Sequence, residues 1–352
     1  MGAAHAANYA GHVAGAVREA WSGLIRIDPR RGDHRVALRA AVSVAVPLLV
    51  LLALGRLDLS IYASFGSFAA LYGRHDDYAD RIRMQAAAGV TLIAAMLLDT
   101  ALAFCAMAGI VDVVIISFAA ALITLLAYVW HWHPPGAIFV VFAVGACATL
   151  PATAMSFIGV LVGGGASVGF AVAVTTTLAL LRDGLRRRTP RRRLPIGAVG
   201  WEMAITVGIG VLLAGAAALL IVGTHWYWAM IGAVAAVSGA HVTSRLIRGA
   251  QRLIGTLLGV LLAAGLLALA MPPALTIVVA IILQAGAELF IGRNYGIAML
   301  FVTPLALLMV HLVAPIDPAL LLGDRILDTV IGVVIGTLVA IVSAALRRPR
   351  AT

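Results

Sequence analysis

Few residues of this chain could do chemistry, and the first is an acidic residue inside a long apolar run. Asp99 lies in the sequence Met-Leu-Leu-Asp-Thr at 96–100. An ionisable group in the middle of a bilayer costs several kcal/mol, so it is retained there mainly for function. We therefore predict that Asp99 binds and releases protons. The alternative is a residue near the membrane surface that is hydrogen-bonded to a neighbouring hydroxyl.

A second pair of charged residues begins the last apolar run of the chain. Arg325 and Asp328 are three residues apart, a spacing that puts both side chains on one face of a helix. One hypothesis is a permanent ion pair that anchors the helix end. The other is that a passing anion replaces Asp328 beside Arg325, which would make both residues part of a pathway.

Two aromatic residues occupy matching positions of a weak internal repeat. The sequence Ile-Tyr-Ala-Ser-Phe-Gly at 61–66 matches Tyr-Trp-Ala-Met-Ile-Gly at 227–232, which aligns Tyr62 with Trp228. Aromatic side chains stack on other rings, so both residues are candidates for binding an aromatic ligand. A belt of aromatic residues at the membrane surface is the alternative, and it suits Trp226 better.

Motifs for metals and cofactors are weak. His131 and His133 have no carboxylate or thiol near them to complete a metal site. Cys105 and Cys147 lie inside apolar runs and form no CxxC motif. No hydrolase triad, zinc motif, P-loop or dinucleotide fingerprint occurs. We predict no metal, no cofactor and no enzymatic activity.

The composition determines the class of protein. Of the 352 residues, 62% are hydrophobic and 11% are charged, against about 25% charged in soluble domains. So few charges could not keep a water-soluble fold in solution, and we predict a membrane protein that crosses the lipid bilayer many times. The net charge of +10 comes from arginines in short loops between apolar runs. That placement orients membrane helices and does not indicate a nucleic-acid partner.

Twelve apolar runs predict an all-α bundle of about 12 membrane helices. A spanning helix needs about 20 apolar residues. The runs form two sets of six on either side of an arginine-rich and proline-rich segment. They lie at 36–55, 59–73, 85–107, 111–129, 136–151 and 156–181, and at 202–222, 226–240, 253–271, 274–291, 296–313 and 326–346.

The arginines predict the orientation of the chain. If both termini are cytoplasmic, all but Arg56 and Arg325 of the 25 arginines lie toward the cytoplasm. The predicted domains follow from the same pattern. They are a cytoplasmic segment at 1–35 (possibly an amphipathic helix), a first membrane repeat at 36–181, a cytoplasmic linker at 182–200, a second repeat at 201–346 and a cytoplasmic tail at 347–352.

The two sets of six runs predict a parallel repeat, because six is an even number and both halves enter the membrane from the same side. The second run of each half, 59–73 and 226–240, is short and rich in small residues. Short paired segments of this kind often mark the binding site of a transporter. We therefore expect a polar pathway where the two halves meet.

Several motifs resemble the fusaric-acid-resistance-like family, which is related to aromatic acid exporters. They are Tyr62-Ala-Ser-Phe-Gly66, Trp228-Ala-Met-Ile-Gly232, Arg252-Leu-Ile-Gly-Thr-Leu-Leu-Gly259, Arg293-Asn-Tyr-Gly296 with Phe301-Val-Thr-Pro304, and Arg325-Ile-Leu-Asp-Thr-Val-Ile-Gly332. The third of these places Arg252 just before a run, and the fourth adds Asn294 and Tyr295 to the candidate pathway residues. The resemblance implies export of aromatic or other organic acids across the bacterial inner membrane, driven by protons. Larger relatives carry cytoplasmic domains after each half, where this chain has only the short linker.

Three further expectations remain open at this point. An organic-anion channel of the malate type and a membrane scaffold without transport are alternatives to the exporter. A homodimer is expected from the paired glycines at 165/169, 255/259 and 332/336. The pairs Arg56 with Asp58 and Glu288 with Arg293 are expected to lie near the membrane surfaces and to be solvated.

Overall fold

The computed structural model describes residues 24–27, 33–74, 76–107, 109–134, 136–148, 151–182, 195–238 and 242–347. All regular secondary structure within these ranges is helical, as the apolar runs predict. Most of the predicted N-terminal segment, the central part of the linker and the C-terminal tail lie outside the described residues.

Twelve helices form the described part of the chain, if consecutive helical segments are counted together. Helix α2 (Ser60–Ser67) carries 3₁₀ turns at both ends, Leu57–Leu59 and Phe68–Leu71. Helix α6 (Ala154–Gly159 and Gly165–Arg182) contains a π-helical turn at Val160–Gly164. The helices are α1 (Asp33–Ala53), α2 (Ser60–Ser67), α3 (Tyr78–Phe104), α4 (Gly109–Val129), α5 (Ile138–Ala148), α6 (Ala154–Gly159 and Gly165–Arg182), α7 (Ala198–Ile221), α8 (Tyr227–Val237), α9 (Val242–Ala268), α10 (Pro273–Phe290), α11 (Tyr295–Val313) and α12 (Pro318–Arg347).

Nine helices of the described chain are long and apolar enough to cross a membrane, and α2, α5 and α8 are shorter. The sequence predicts the short α2 and α8 but assigns an ordinary span to 136–151, where α5 has only 11 residues. All 11 residues of α8 are buried, and most described side chains of α5 are buried as well. Because α5 and α8 are enclosed by protein, they do not have to match the thickness of the lipid.

The packing of the helices places α8 at the centre of the bundle. Helix α8 contacts α7, α9 and α12, and it also contacts α5 from the first six helices. In the same way α2 contacts α1, α3 and α6, and it reaches α11 from the last six. The outer contacts between the two sets of six join α4 to α7 and α10 to α1.

Glycines allow the closest helix contacts. A Cβ atom on Gly332 of α12 would collide with the backbone carbonyl of Ala229 in α8, and one on Gly66 of α2 would collide with the carbonyl oxygen of Gly164 in α6. Backbones can approach this closely only where side chains are absent. The paired glycines of α9 and α12 are thus used within the chain, whereas a Cβ at Gly165 or Gly169 would meet no atom within 4 Å among the described residues.

Three helices begin about two to three turns before the predicted spans. The runs at 85–107, 253–271 and 326–346 become α3, α9 and α12, which start at Tyr78, Val242 and Pro318. In each helix an arginine lies within these early turns: Arg81, Arg252 and Arg325. None of the three is exposed, since each is at least partly enclosed by neighbouring helices. The charged residues are therefore part of the helices and do not end them.

We expect Gly332→Ala to destabilise the protein more than Gly265→Ala. The two substitutions make the same chemical change within a helix, but a Cβ at position 265 meets no described atom within 4 Å. Overpacking a close contact costs about 1–3 kcal/mol. The thermal unfolding temperature of each purified variant in detergent micelles tests this. Equal unfolding temperatures for the two variants would show that α8 and α12 can move apart at no cost.

Candidate functional site

A cavity of about 190 Å³ lies between the two sets of six helices. Its walls come from α1, α2 and α5 on one side and from α8 through α12 on the other. Cavities of about 150 Å³ in other proteins bind benzene, so this one has room for an aromatic ring. The three short helices all contribute to its walls.

One wall of the cavity is aromatic. Phe65 and Phe68 of α2 meet Phe139 and Phe142 of α5, and all four rings line the cavity. The ring centroids of Phe65 and Phe142 lie 5.0 Å apart, and those of Phe68 and Phe139 lie 5.2 Å apart. Such edge-on and tilted contacts are the favourable geometries for aromatic rings. The four rings form a surface that suits an apolar or aromatic ligand.

Three arginines also line the cavity, Arg248 and Arg252 from α9 and Arg325 from α12. Arg252 and Arg325 are each only 2% exposed. Arg252 donates a hydrogen bond of 2.8 Å to the Tyr295 hydroxyl. The Nε atoms of Arg252 and Arg325 have no hydrogen-bond acceptor among the described residues. Buried cations with unused donors favour the binding of an anion.

Tyr295 and Trp228 hold the guanidinium groups in place. The Arg248 guanidinium lies 4.8 Å from the centre of the Tyr295 ring, and that of Arg325 lies 5.0 Å from the Trp228 ring. Cation–π contacts of this kind are stronger when they are desolvated. His225 also stacks on Trp228, with the centroids 4.8 Å apart. Trp228 is fully buried, so its contact with Arg325 fixes the position of that guanidinium group.

Two of the buried aspartates, Asp99 and Asp328, are not among the described residues that line the cavity. Asp99 and Asp328 are both fully buried, and their carboxylate oxygens find no hydrogen-bond partner in the described part of the chain. Arg325 and Asp328 thus form no hydrogen bond among the described residues but interact electrostatically, so the ion pair and the pathway role both stay predictions. The buried hydroxyl of Tyr227 also has no partner within the described ranges. It interacts electrostatically with both aspartates.

Two further predicted site residues, Tyr62 and Asn294, take part in helix packing and helix capping. Tyr62 of α2 is buried against α6, where a Cβ on Gly159 would lie 3.2 Å from its ring. Asn294 caps the first turn of α11, because its side chain accepts a hydrogen bond of 3.0 Å from the Ile297 amide. Its amide group donates to the carbonyl oxygens of Leu24 and Arg26 at 2.9 and 3.0 Å. Of the seven predicted site residues, Tyr295 and Arg325 line the cavity.

One charged residue at the cavity, Glu288, is not recognisable as such from the sequence. Glu288 was expected to be solvated beside Arg293, but its side chain is 6% exposed and pairs with Arg74. The pair Arg56 and Asp58 is exposed as expected, with 2.8 Å between the charged atoms. The four phenylalanines were also missed, although a spacing of three residues in both α2 and α5 puts each pair on one helix face.

We expect Asn294 to fix the N-terminal segment and not to bind a ligand. Asn294→Ala removes the cap and the donors to Leu24 and Arg26, whereas Asn294→Asp keeps an acceptor for the cap. Trypsin should cleave after Arg26 faster in both variants. Only the alanine variant should lose stability, by about 0.5–2 kcal/mol. Mass spectrometry of the released peptide and thermal unfolding measure the two effects. Unchanged cleavage together with lost ligand binding would restore the predicted binding role.

Comparison with known proteins supports the resemblance seen in the motifs. Residues 212–339 match the family described as fusaric acid resistance protein-like. The match runs from within α7 to within α12 and includes Arg252, Tyr295 and Arg325. No curated protein matches the chain, and no solved structure does. The nine long apolar helices and the family match together identify a multi-pass membrane protein whose residues 212–339 are fusaric acid resistance protein-like.

Proposed function

We propose that the protein exports aromatic or other hydrophobic organic acids across the bacterial inner membrane. The observation that carries this proposal is that four phenylalanines and three arginines line the same cavity. An aromatic acid has the matching parts, an apolar ring and a carboxylate. Apolar walls with a few well-placed polar groups are typical of small-molecule sites, and guanidinium groups bind carboxylates strongly.

We propose further that the bundle is a duplication of six helices. The packing supports this, since the contacts α1–α2, α2–α6, α3–α5 and α4–α7 recur six helices later as α7–α8, α8–α12, α9–α11 and α10–α1. In the same way α5 contacts α8, and α11 contacts α2. A parallel repeat with its axis along the membrane normal accounts for this order. The cavity lies where the two units meet, the usual place for a transport pathway.

The proposed orientation places both termini in the cytoplasm. The contacts of Asn294 with Leu24 and Arg26 and of Arg74 with Glu288 belong to one end of the bundle. We call this end the arginine-rich end. A surface rich in arginine raises the local concentration of anions and steers them toward the cavity. Because positive residues are retained in the cytoplasm, this end is proposed to be cytoplasmic.

Coupling to protons is proposed to run through the buried region around Tyr227. Asp99 on α3 and Asp328 on α12 both interact electrostatically with Tyr227, and a carboxylate without a partner in a membrane interior is stable only with a proton or a counter-ion. A channel is the second candidate function. It is favoured by one observation, which is that the described residues lining the cavity include neither aspartate.

Benzoate uptake into proteoliposomes tests the proposed cavity. We expect Arg252→Gln to raise the KM for benzoate by about ten- to a hundredfold, because a charge-assisted hydrogen bond is worth about 1.5–3 kcal/mol. Arg56→Gln is the matched control, since Arg56 lies in an exposed ion pair away from the cavity. A KM that stays unchanged in Arg252→Gln would contradict anion binding in this cavity.

The substitution Asp99→Asn separates a coupled exporter from a channel. In a coupled exporter, benzoate uptake driven by a pH gradient is abolished, because the asparagine cannot carry a proton. In a channel, currents in planar bilayers stay close to those of the unmodified protein. Asp58→Asn serves as the control because Asp58 is exposed. Uptake that does not respond to the gradient even before substitution would remove proton coupling altogether.

A further inference from the structure

Glu288 provides a carboxylate at the arginine-rich end of the cavity. It lies on α10 among the residues that line the cavity. Its Oε2 accepts a hydrogen bond from Nη2 of Arg74, and the two side chains are 6% and 13% exposed. Arg74 follows α2 in the first six helices, whereas Glu288 belongs to the last six. This buried ion pair therefore joins the two sets of six helices beside the cavity.

The turn that carries Arg74 is held rigidly. The Arg81 guanidinium donates hydrogen bonds of 2.8 Å to the Gly73 carbonyl and 2.7 Å to the Asp76 carbonyl. The amide of Gly73 donates to the carbonyl of His133 at 2.9 Å. Gly73 has a φ of +68°, a conformation that favours glycine. The backbone of this turn thus directs Arg74 toward α10, in addition to the contact that Arg74 makes with Glu288.

A second arginine adds positive charge at the same place. Arg39 of α1 is 9% exposed, and its Nε and Nη2 atoms find no acceptor among the described residues. Arg74 and Arg81 disfavour the positive charge of Arg39, whereas Tyr78 and Glu288 favour it. Arg81 also lies near Asp76 and Asp77. Glu288 is hydrogen-bonded to Arg74, and it is also the carboxylate that favours the charge of Arg39.

We propose that Arg39 and Arg74 form a second anion-binding site at the entrance of the cavity, and that Glu288 occupies it until a substrate carboxylate replaces it. This inference rests on the proposed function for the identity of the substrate as an organic acid. When the substrate takes its place, Glu288 leaves Arg74, and the bridge between the two sets of helices is broken. Binding of the substrate carboxylate thus breaks the ion pair that closes the entrance of the cavity.

The exchange selects for anions. Breaking a buried ion pair without a replacement leaves two buried charges unpaired, which is strongly unfavourable. An incoming carboxylate replaces the lost partner of Arg74 and accepts from the free donors of Arg39, and the displaced Glu288 takes up a proton because a buried carboxylate without a cation is unstable. A neutral molecule of the same shape provides no such replacement. The entrance should therefore stay closed to aromatic alcohols and amides.

Ligand-induced stabilisation tests the second site without any transport assay. Glu288→Gln keeps the shape of the side chain and leaves Arg39 and Arg74 without their carboxylate. Benzoate should raise the unfolding temperature of this variant in detergent by several degrees more than that of the unmodified protein, because a ligand stabilises the state that it binds. The extra shift should disappear in the double variant Arg39→Gln/Glu288→Gln. Benzyl alcohol should produce no extra shift in either variant.

Equal benzoate shifts in the unmodified protein, Glu288→Gln and the double variant would overturn the inference. If Glu288→Gln does not fold, Glu288→Asp shortens the side chain by one methylene, and it should change the benzoate shift in the same direction. Asp58→Asn, at the exposed pair, should behave as the unmodified protein does.

Sided transport measurements separate this inference from the proposed function. For uptake from the arginine-rich end, Glu288→Gln should lower the KM for benzoate by about tenfold and Arg39→Gln should raise it by a similar factor, as expected for a charged hydrogen bond. Uptake from the opposite end should keep its KM. No benzoate transport by the unmodified protein would contradict the proposed function, whereas the stabilisation data would still decide the second site. Transport with an unchanged KM in both variants would contradict the second site alone.

Discussion

The enclosure of charged side chains within an apolar bundle is the constraint on which the rest of this structure depends. A guanidinium in lipid would cost several kcal/mol, so Arg252 and Arg325 are tolerated only because other helices surround them. Helix α8 provides part of that surrounding, since all its residues are buried and its Trp228 ring lies 5.0 Å from the Arg325 guanidinium. The glycines at positions 66, 164 and 332 bring backbones into contact. The cavity and its charge thus follow from the same packing.

Much of the fold could be predicted from the sequence, because apolar runs report directly on membrane helices. The short α2 and α8 were predicted from their length. The starts of α3, α9 and α12 were not, since a charged residue in a single sequence looks the same whether it ends a span or lies inside a protein-lined cavity. Arg325 lies two turns inside α12, and only its neighbours from other helices show that it is shielded from lipid.

The candidate site was harder to predict for a related reason. Tyr295 and Arg325 line the cavity as expected, but Tyr62 and Asn294 belong to motifs whose local role is packing and helix capping. The phenylalanines of α2 and α5 are about 70 residues apart in sequence, and Arg74 meets Glu288 from the other half of the chain. Pairings over such distances depend on which helices pack together, and a hydropathy pattern contains no information about that.

The side-chain contacts at the two ends of the bundle differ in what they join. Arg74 and Glu288 connect the two sets of six helices at the arginine-rich end. At the opposite end His225 contacts Asp324 with 2.8 Å between Nδ1 and Oδ2, and both residues belong to the last six. The first contact therefore adds to the packing between the two sets, whereas the second joins the turn before α8 to α12 within one set. Because α8 also carries Trp228, which contacts Arg325, a rearrangement there would move a cavity guanidinium.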